Sequence, residues 1–414
     1  AGFGCTMPNA TPTAAPTAEA TKPAEKESDK RRRKQSAYRT IYSLTRLGSR
    51  LTPLESSIAL ALPFAFLHAV AIREWFLWNM KCQLALFVPV VLCPALITGR
   101  MAYVDIGWPL GVVVLGLNGL VNGGGLQLRR ALMGGVLCLH GGRMALGALA
   151  LFFPYSFEAD LPRYRYAKLR FVEKERMPER LWTAKMVHDI AQQAYANCAV
   201  LAAPVALACS DQTATISEVE LAGYGLWLAG YLWESLADLQ KQYFIRQAQQ
   251  AKRKAKFGNK DPASTQWEEP VLGLAPYRGW RYYCWSRCRH PNYFGEWAAW
   301  NGIVLAALPS LLRYQDTTPV RVGLSLALLF VSRFFYDCLL YWTGAEPAEH
   351  FSVLKRQAYH DYQRSTRVFW PFELPWVDHG RRPDWPAFPK RVEKTATKAP
   401  AATSNTGKKK KKDS

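Results

Sequence analysis

The chain has 414 residues, 49% of them hydrophobic and 21% charged, with a formal net charge of +21. That is enough apolar material for a large core, and it excludes a chain that is disordered throughout. The charge does not mark a nucleic-acid-binding body either. Residues 1–54 hold ten Lys/Arg against four Asp/Glu, or +6, and residues 380–414 hold eleven against three, or +8, so two thirds of the excess sits at the ends.

Residues 1–55, rich in Ala, Pro, Thr and Lys, cannot bury enough apolar area to fold and are predicted to form a disordered basic tail. No cleavable signal peptide is visible in it. The cluster Arg31, Arg32, Arg33 and Lys34 reads as a lipid-contacting, orienting patch beside membrane spans rather than as a specific nucleic-acid site.

From there to about residue 380 the chain alternates apolar stretches with polar loops. Eight stretches approach membrane-spanning length: about 58 to 72, 83 to 99, 101 to 121, 131 to 153, 193 to 209, 220 to 238, 293 to 312 and 320 to 342. The first is the shortest. The predicted fold is therefore all-α, a polytopic membrane protein with about seven to eight transmembrane helices over 56–380. The basic segments are the N-terminus, 154–190, 241–290 and everything after 343, while the loop SDQTATISEVE at 210–220 is acidic. With eight spans every basic segment falls on one side, which the positive-inside rule makes the cytosol, so both tails are expected there.

Polar residues inside the apolar stretches are the candidates for chemistry, because each is costly in lipid without a partner. Asp105, in VDIGW, is the first, and His140 or Arg143 would answer it. The fourth stretch contains CLHGGRMALG, with His140 and Arg143 three residues apart. A lone histidine in a span is either a paired structural group or a hydrogen-bond donor. The sixth runs GYGLWLAGYLWESLADLQKQYF, where Glu234 and Asp238 share a face by i,i+4 spacing and Lys241 and Arg246 are the nearby cations. Its glycines, and the NGGG at 122–125, read as helix packing and a turn, and no GxGxxG follows a strand.

Residues 287–296, RCRHPNYFGE, carry the densest signal, for they lead straight into the apolar run WAAWNGIVLAALPSLL. Pro291 suits the first turn of a helix, since its missing N–H is one of the unsatisfied donors there. The free N–H groups and the positive dipole end then face Arg287, Arg289 and His290, which makes an anion site fit for phosphate. Asn292 and Glu296 lie on one face, a turn deeper. Interfacial anchoring would explain Arg289, His290 and Tyr293, yet it does not require Asn292 and Glu296. Nine cysteines are scattered without a disulfide framework, and Cys284, Cys288 and His290 lack a fourth ligand and the usual zinc spacing, so no metal site is expected. After about residue 381 a second Lys-rich disordered tail ends in KKDS, where Lys411 and Lys412 stand as in a dilysine signal for the endoplasmic reticulum.

The segment YRGWRYYCWSRCRHPNYFGEWAAWNG, followed by AYHDYQRSTRVFWPF at 358–372, closely resembles the C-terminal part of the membrane-embedded steroid 5-alpha-reductase family, above all its uncharacterised branch. Sterol reductases and isoprenylcysteine methyltransferases share a shorter RHPxY core. The likeness extends to 223–244, which resembles the family's cofactor helix with Glu234 and Asp238 at its polar positions, and to Arg143 as a cofactor-contacting arginine. His140 stands where the family has a tyrosine that hydrogen-bonds the substrate ketone. The resemblance weakens towards the N-terminus and covers neither tail.

The resemblance implies a C-terminal cofactor-binding half and an NADPH site lined by Arg143, Glu234, Asp238, Arg246, Arg289, His290, Asn292, Tyr293, Glu296 and Tyr359, with Tyr362, Arg364 and Arg367 closing the cytosolic side. It implies reduction of a polarised carbon–carbon double bond in a hydrophobic, lipid- or steroid-like substrate. His140 and Asp105 are the candidates for stabilising the charge that appears on the carbonyl oxygen. Two alternatives remain: an S-adenosylmethionine-dependent lipid or isoprenylcysteine methyltransferase using the same RHPNY element, and a non-catalytic membrane scaffold.

Overall fold

The computed structural model describes residues 53–155, 159–258, 269–356 and 358–374. The Arg31–Lys34 cluster, the C-terminal tail with Lys411 and Lys412, and nearly all of the expected N-terminal tail lie outside these residues. The last three residues assigned to that tail, 53–55, instead open the first helix, Pro53–His68 (α1).

Among the described residues the fold is all-helical and contains no strand. After α1 come Val70–Phe87 (α2), Cys93–Thr98 (α3), Val104–Asn122 (α4), Gln127–Tyr155 (α5), Pro162–Leu169 (α6), Trp182–Tyr195 (α7) and Ala202–Ser210 (α8). Then follow Glu218–Gly258 (α9), Tyr283–Arg287 (α10), Pro291–Arg313 (α11), Thr318–Asp337 (α12), Ala345–Lys355 (α13) and Tyr359–Ser365 (α14). π-helical turns join α2 to α3, α7 to α8 and α12 to the following segment, so these pairs run as long, slightly irregular rods.

Five helical stretches are long and apolar enough to cross a membrane: Val70–Thr98, Val104–Asn122, Gln127–Phe153, Glu179–Ser210 and Thr318–Lys355. The apolar Glu55–His68 is shorter. The stretches expected at 220–238 and 293–312 are helical as predicted, in α9 and α11, but are not among the five. The stretch expected at 58–72 is broken at Ala69, whose extended backbone ends α1 and hands residues 70–72 to α2. Many large apolar side chains point outward, Val70, Ile97, Val121 and Phe153 among them. A water-soluble monomer rarely tolerates so much exposed apolar surface, whereas lipid solvates it.

The rods stand antiparallel. Arg333 near the end of α12 pairs with Glu55 at the start of α1, Nε to Oε1 at 3.0 Å. At the opposite end Arg129, fully buried at the start of α5, donates to Glu220 Oε2 (2.8 Å) and to the carbonyls of Asp211, Thr213 and Thr215. Arg313, ending α11, reaches Asp211 and Glu220 as well. The acidic loop that stood out in the sequence is thus clamped by two arginines from other helices.

α8 lies in the middle. Its sequence AAPVALACS is built of small side chains, and Ala202 to Cys209 are all buried. The tightest interface joins α9 and α11. A Cβ at Gly230 would sit 2.5 Å from Ala299 N, one at Gly295 2.7 Å from Glu234 N, and one at Gly302 2.3 Å from Trp227 N. Glycines seven residues apart on each helix let the two backbones touch, as small residues do between membrane helices. Glu234 and Glu296 are pressed together by that contact.

Candidate functional site

A cavity of about 650 Å³ opens between α4, α5, α6, α9, α11 and α12. Asp105, Arg143, Glu234, Asp238, Asn292, Tyr293 and Glu296 all line it, joined by apolar walls that include Trp108, Met144, Leu239 and Phe335. Residues from four distant parts of the chain therefore meet on one surface.

Arg143 from α5 answers the two carboxylates of α9. It pairs with Glu234, and its Nη1 lies 3.2 Å from Asp238 Oδ2. Lys241 and Arg246, the expected partners, do not hold this place: Lys241 turns over the Trp285 ring, and Arg246 is exposed two turns beyond Asp238, off the cavity. Both sit past the last glycine contact between α9 and α11.

Asp105 pairs with neither His140 nor Arg143. Tyr164 donates its hydroxyl to Asp105 Oδ1, and Arg163 lies 3.6 Å from Oδ2. Burial and the Asp105 carboxylate push the Tyr164 phenol well above its usual range, so it keeps its proton for that bond. Arg163 and Tyr164 belong to the basic loop 154–190, which charge alone made an orienting segment. In the folded chain its helix α6 packs back to wall the cavity. The signal was present in PRYRY, where tyrosines alternate with arginines at a helix start.

His140 is fully buried and does not line the cavity. Its Nε2 is 3.0 Å from Glu296 Oε2, and Trp300 Nε1 donates to Glu296 Oε1 at 2.9 Å. The imidazole packs edge-on against Trp300 and tilted against Tyr231. It reaches the cavity only through Glu296, so the expected acid stands behind a carboxylate rather than in front of a substrate.

Pro291 does open α11, with His290 at the N-cap. The arginine and histidine before it are nevertheless spoken for. Glu349 from α13 takes Arg289 as a fork, Nε to Oε1 at 2.6 Å and Nη2 to Oε2 at 3.2 Å, and accepts His290 Nε2 at 3.0 Å and Gln363 Nε2 at 2.7 Å. Arg289 Nη1 donates further to the carbonyls of Gln363 and Thr366. The backbone N–H groups of Arg289 and His290 donate to Arg367 O and Val368 O. Burial holds the His290 imidazole below its usual range, against the pull of Glu349, and the ring stacks on Tyr293 at 5.1 Å. Arg287 is exposed and lies over Tyr283. The basic half of the motif is thus a structural clamp, and only its Asn292, Tyr293 and Glu296 face the cavity.

The C-terminal tyrosines serve the same clamp. Tyr359 is buried beside Val271 and Tyr362, away from the cavity. Tyr362 donates to the carbonyls of Trp285 and Cys288. Arg364 and Arg367 pair with Asp361 and Glu373. Glu349 was missed because nothing local distinguishes AEPAEHF from an ordinary amphipathic turn, and its three partners come from other segments.

A family model described as "Protein of unknown function (DUF1295)" matches residues 93–366. No curated protein matches, and no solved structure does.

Proposed function

The chain belongs to the DUF1295 family of proteins of unknown function, which includes steroid 5-alpha-reductase-like proteins; from this premise we propose an integral membrane oxidoreductase that uses NADPH to reduce a polarised carbon–carbon double bond in an apolar substrate. The observation that carries this reading is the cavity. Its volume, about 650 Å³, falls in the range of cofactor-sized sites, and its wall combines apolar area with a few convergent polar groups.

The residues fit a nicotinamide cofactor in one specific respect. Asn292 Oδ1 is a buried acceptor with no protein partner on the cavity wall. A carboxamide or ribose donor would satisfy it. Asp238 would accept a further hydroxyl, with Arg143 fixing its carboxylate. Arg163 and Tyr164 also line an adjoining recess with Arg170 and Lys185, whose charges Glu175 and Asp189 answer, so phosphates would lie on this side against Arg163. When bound, the cofactor supplies the hydride. The chain's own part is to hold it in place and keep water out, with Trp108, Met144, Leu239 and Phe335 as the dry walls. His140 acts as a positioning residue for Glu296.

In this reading all eight antiparallel runs cross the membrane, α1, α9 and α11 included, with the Pro291 end and both tails cytosolic and the endoplasmic reticulum as the compartment. At about 1.5 Å per residue, the 41 residues of α9 give roughly 60 Å, so its basic end would stand well clear of a hydrocarbon core of about 30 Å. The runner-up is an S-adenosylmethionine-dependent methyltransferase. Four carboxylates against two guanidinium groups on the wall would suit a sulfonium cation.

Titrating NADPH, NADH and S-adenosylmethionine into detergent-solubilised protein separates the classes. We expect NADPH to bind and Asn292→Ala to weaken it about 10-fold, near the 1.4 kcal/mol of one hydrogen bond. No binding of either nicotinamide, or undiminished binding in Asn292→Ala, overturns the reading.

A further inference from the structure

At the cavity wall three side chains converge from three helices: Glu234 from α9 and Glu296 from α11, which line it, and His140 from α5 behind Glu296. One ligand atom from each lies within 4.8 Å of the others, and all three residues are buried. We propose that these residues bind a divalent transition-metal ion of the zinc class, with its remaining coordination positions open to the cavity.

The donor chemistry supports a borderline ion. One imidazole nitrogen and two carboxylate oxygens suit Zn²⁺, Co²⁺, Mn²⁺ or Fe²⁺ better than Mg²⁺ or Ca²⁺, which favour all-oxygen shells. Three protein ligands with open positions are the pattern of metal sites that carry out chemistry. Ligands about 2.1 Å from such an ion stand roughly 3.0–3.4 Å from one another. His140 Nε2 and Glu296 Oε2 are already 3.0 Å apart.

Second, an atom is left waiting there. Glu234 is 6% exposed; its Oε1 pairs with Arg143, while its Oε2 is buried without a hydrogen-bond partner. A bare carboxylate oxygen in such surroundings is costly, and a cation removes the cost. Glu296 is pre-set by its bond from Trp300, and the His140 ring by its contacts with Trp300 and Tyr231. Such support is what holds ligands in place before an ion arrives.

Charge points the same way. Asp105, Glu234, Asp238 and Glu296 face Arg143 and Arg163 on this wall, an excess of two negative charges when His140 is neutral. A divalent ion cancels it. A proton shared between His140 and Glu296 cancels only half and leaves Glu234 Oε2 unanswered. The inference goes beyond the reductase reading and stands without it.

The test uses full-length protein purified in detergent without a histidine tag, stripped with chelator and titrated with Co²⁺ while its visible d–d absorption is followed. Wild type should give a saturable signal at one equivalent, which Zn²⁺ displaces. Glu234→Gln, which keeps an oxygen for Arg143, and His140→Gln should each weaken binding by at least about 10-fold, the lower bound even for disturbing an outer-shell partner. Replacing the buried cysteines Cys198, Cys209, Cys284 and Cys288 by Ser one at a time should change nothing, which excludes a buried thiol as the source. If His140→Gln fails to fold, Glu234→Gln decides alone. No saturable signal in wild type, or the same affinity in Glu234→Gln, overturns the assignment. Cofactor titrations run without metal keep this outcome distinct from failure of the reductase reading.

Discussion

Removing Glu349 should unfold the basic half of the motif more than any cavity substitution does. In Glu349→Ala, Arg289, 3% exposed, loses both arms of its fork, and His290 and Gln363 each lose an acceptor. Breaking a buried ion pair from one side costs about 3–5 kcal/mol, and each stranded polar group adds about 1–3 kcal/mol. Glu349 keeps some access to water, its side chain being 13% exposed, so water would meet part of that demand. The expected loss is about 4 kcal/mol, or roughly a thousandfold in the folded-to-unfolded ratio. Arg289→Met should cost a similar amount, and the double variant much less than the sum, with a coupling of about 2–3 kcal/mol. Denaturant titration of the detergent-solubilised protein, followed by Trp fluorescence, reads all three. Additive losses would refute the clamp. So would a stability-neutral Arg289→Met that abolishes NADPH binding, because it would return Arg289 to the anion site that the sequence proposed.

Gly302→Ala, whose Cβ would fall 2.3 Å from Trp227 N, should cost about 1–3 kcal/mol by overpacking, whereas Gly225→Ala, with open space around it, should be neutral or slightly stabilising. Equal melting temperatures for the two would contradict the close α9–α11 contact. Arg129→Met leaves Arg313 as the remaining arginine on the buried Glu220 and takes the donor from three loop carbonyls, and a loss of about 3 kcal/mol is expected, read as a lower melting temperature and earlier aggregation on heating. Burial alone would raise the Asp211 carboxyl, but the Thr213 N–H, Arg313 and Ser310 outweigh it and hold it at about 2. Its contribution is therefore full above the unfolded value of about 3.9 and is lost as pH falls towards 2. Asp211→Asn should flatten the acid limb of a stability profile, and an unchanged limb would show that another group governs it.

What the sequence made legible follows from which forces act locally. Apolar runs placed the helices because hydropathy needs no partner to be read, and Pro291 marked a helix start because its chemistry lies within its own ring and N–H. Asn292 and Glu296 share the cavity wall, as their i,i+4 spacing indicated, while Tyr293 beside them came only with the family resemblance. The errors all concern pairing. Arg289 and His290 looked like free cations because Glu349, 60 and 59 residues away, carries no mark of its own. Lys241 and Arg246 seemed nearest to Glu234 and Asp238 along the chain, while Arg143, 95 residues from Asp238, was nearest in space. Asp105 met Tyr164 because α6 folds back, a tertiary event that loop charge does not encode. The convergence of His140, Glu234 and Glu296 is of the same kind, as it depends on three helices meeting at one depth.

The backbone bonds from Arg289 and His290 to Arg367 and Val368 set an order of events during synthesis. The motif leaves the ribosome before its own acceptors exist, since the Gln363 and Thr366 carbonyls that receive Arg289 lie 74 and 77 residues later. The spans after it must be threaded first. Completion of the clamp therefore waits for residue 368, and a ribosome stalled, or a message cut, anywhere between α11 and residue 368 would release a bundle whose α11 start had never been latched.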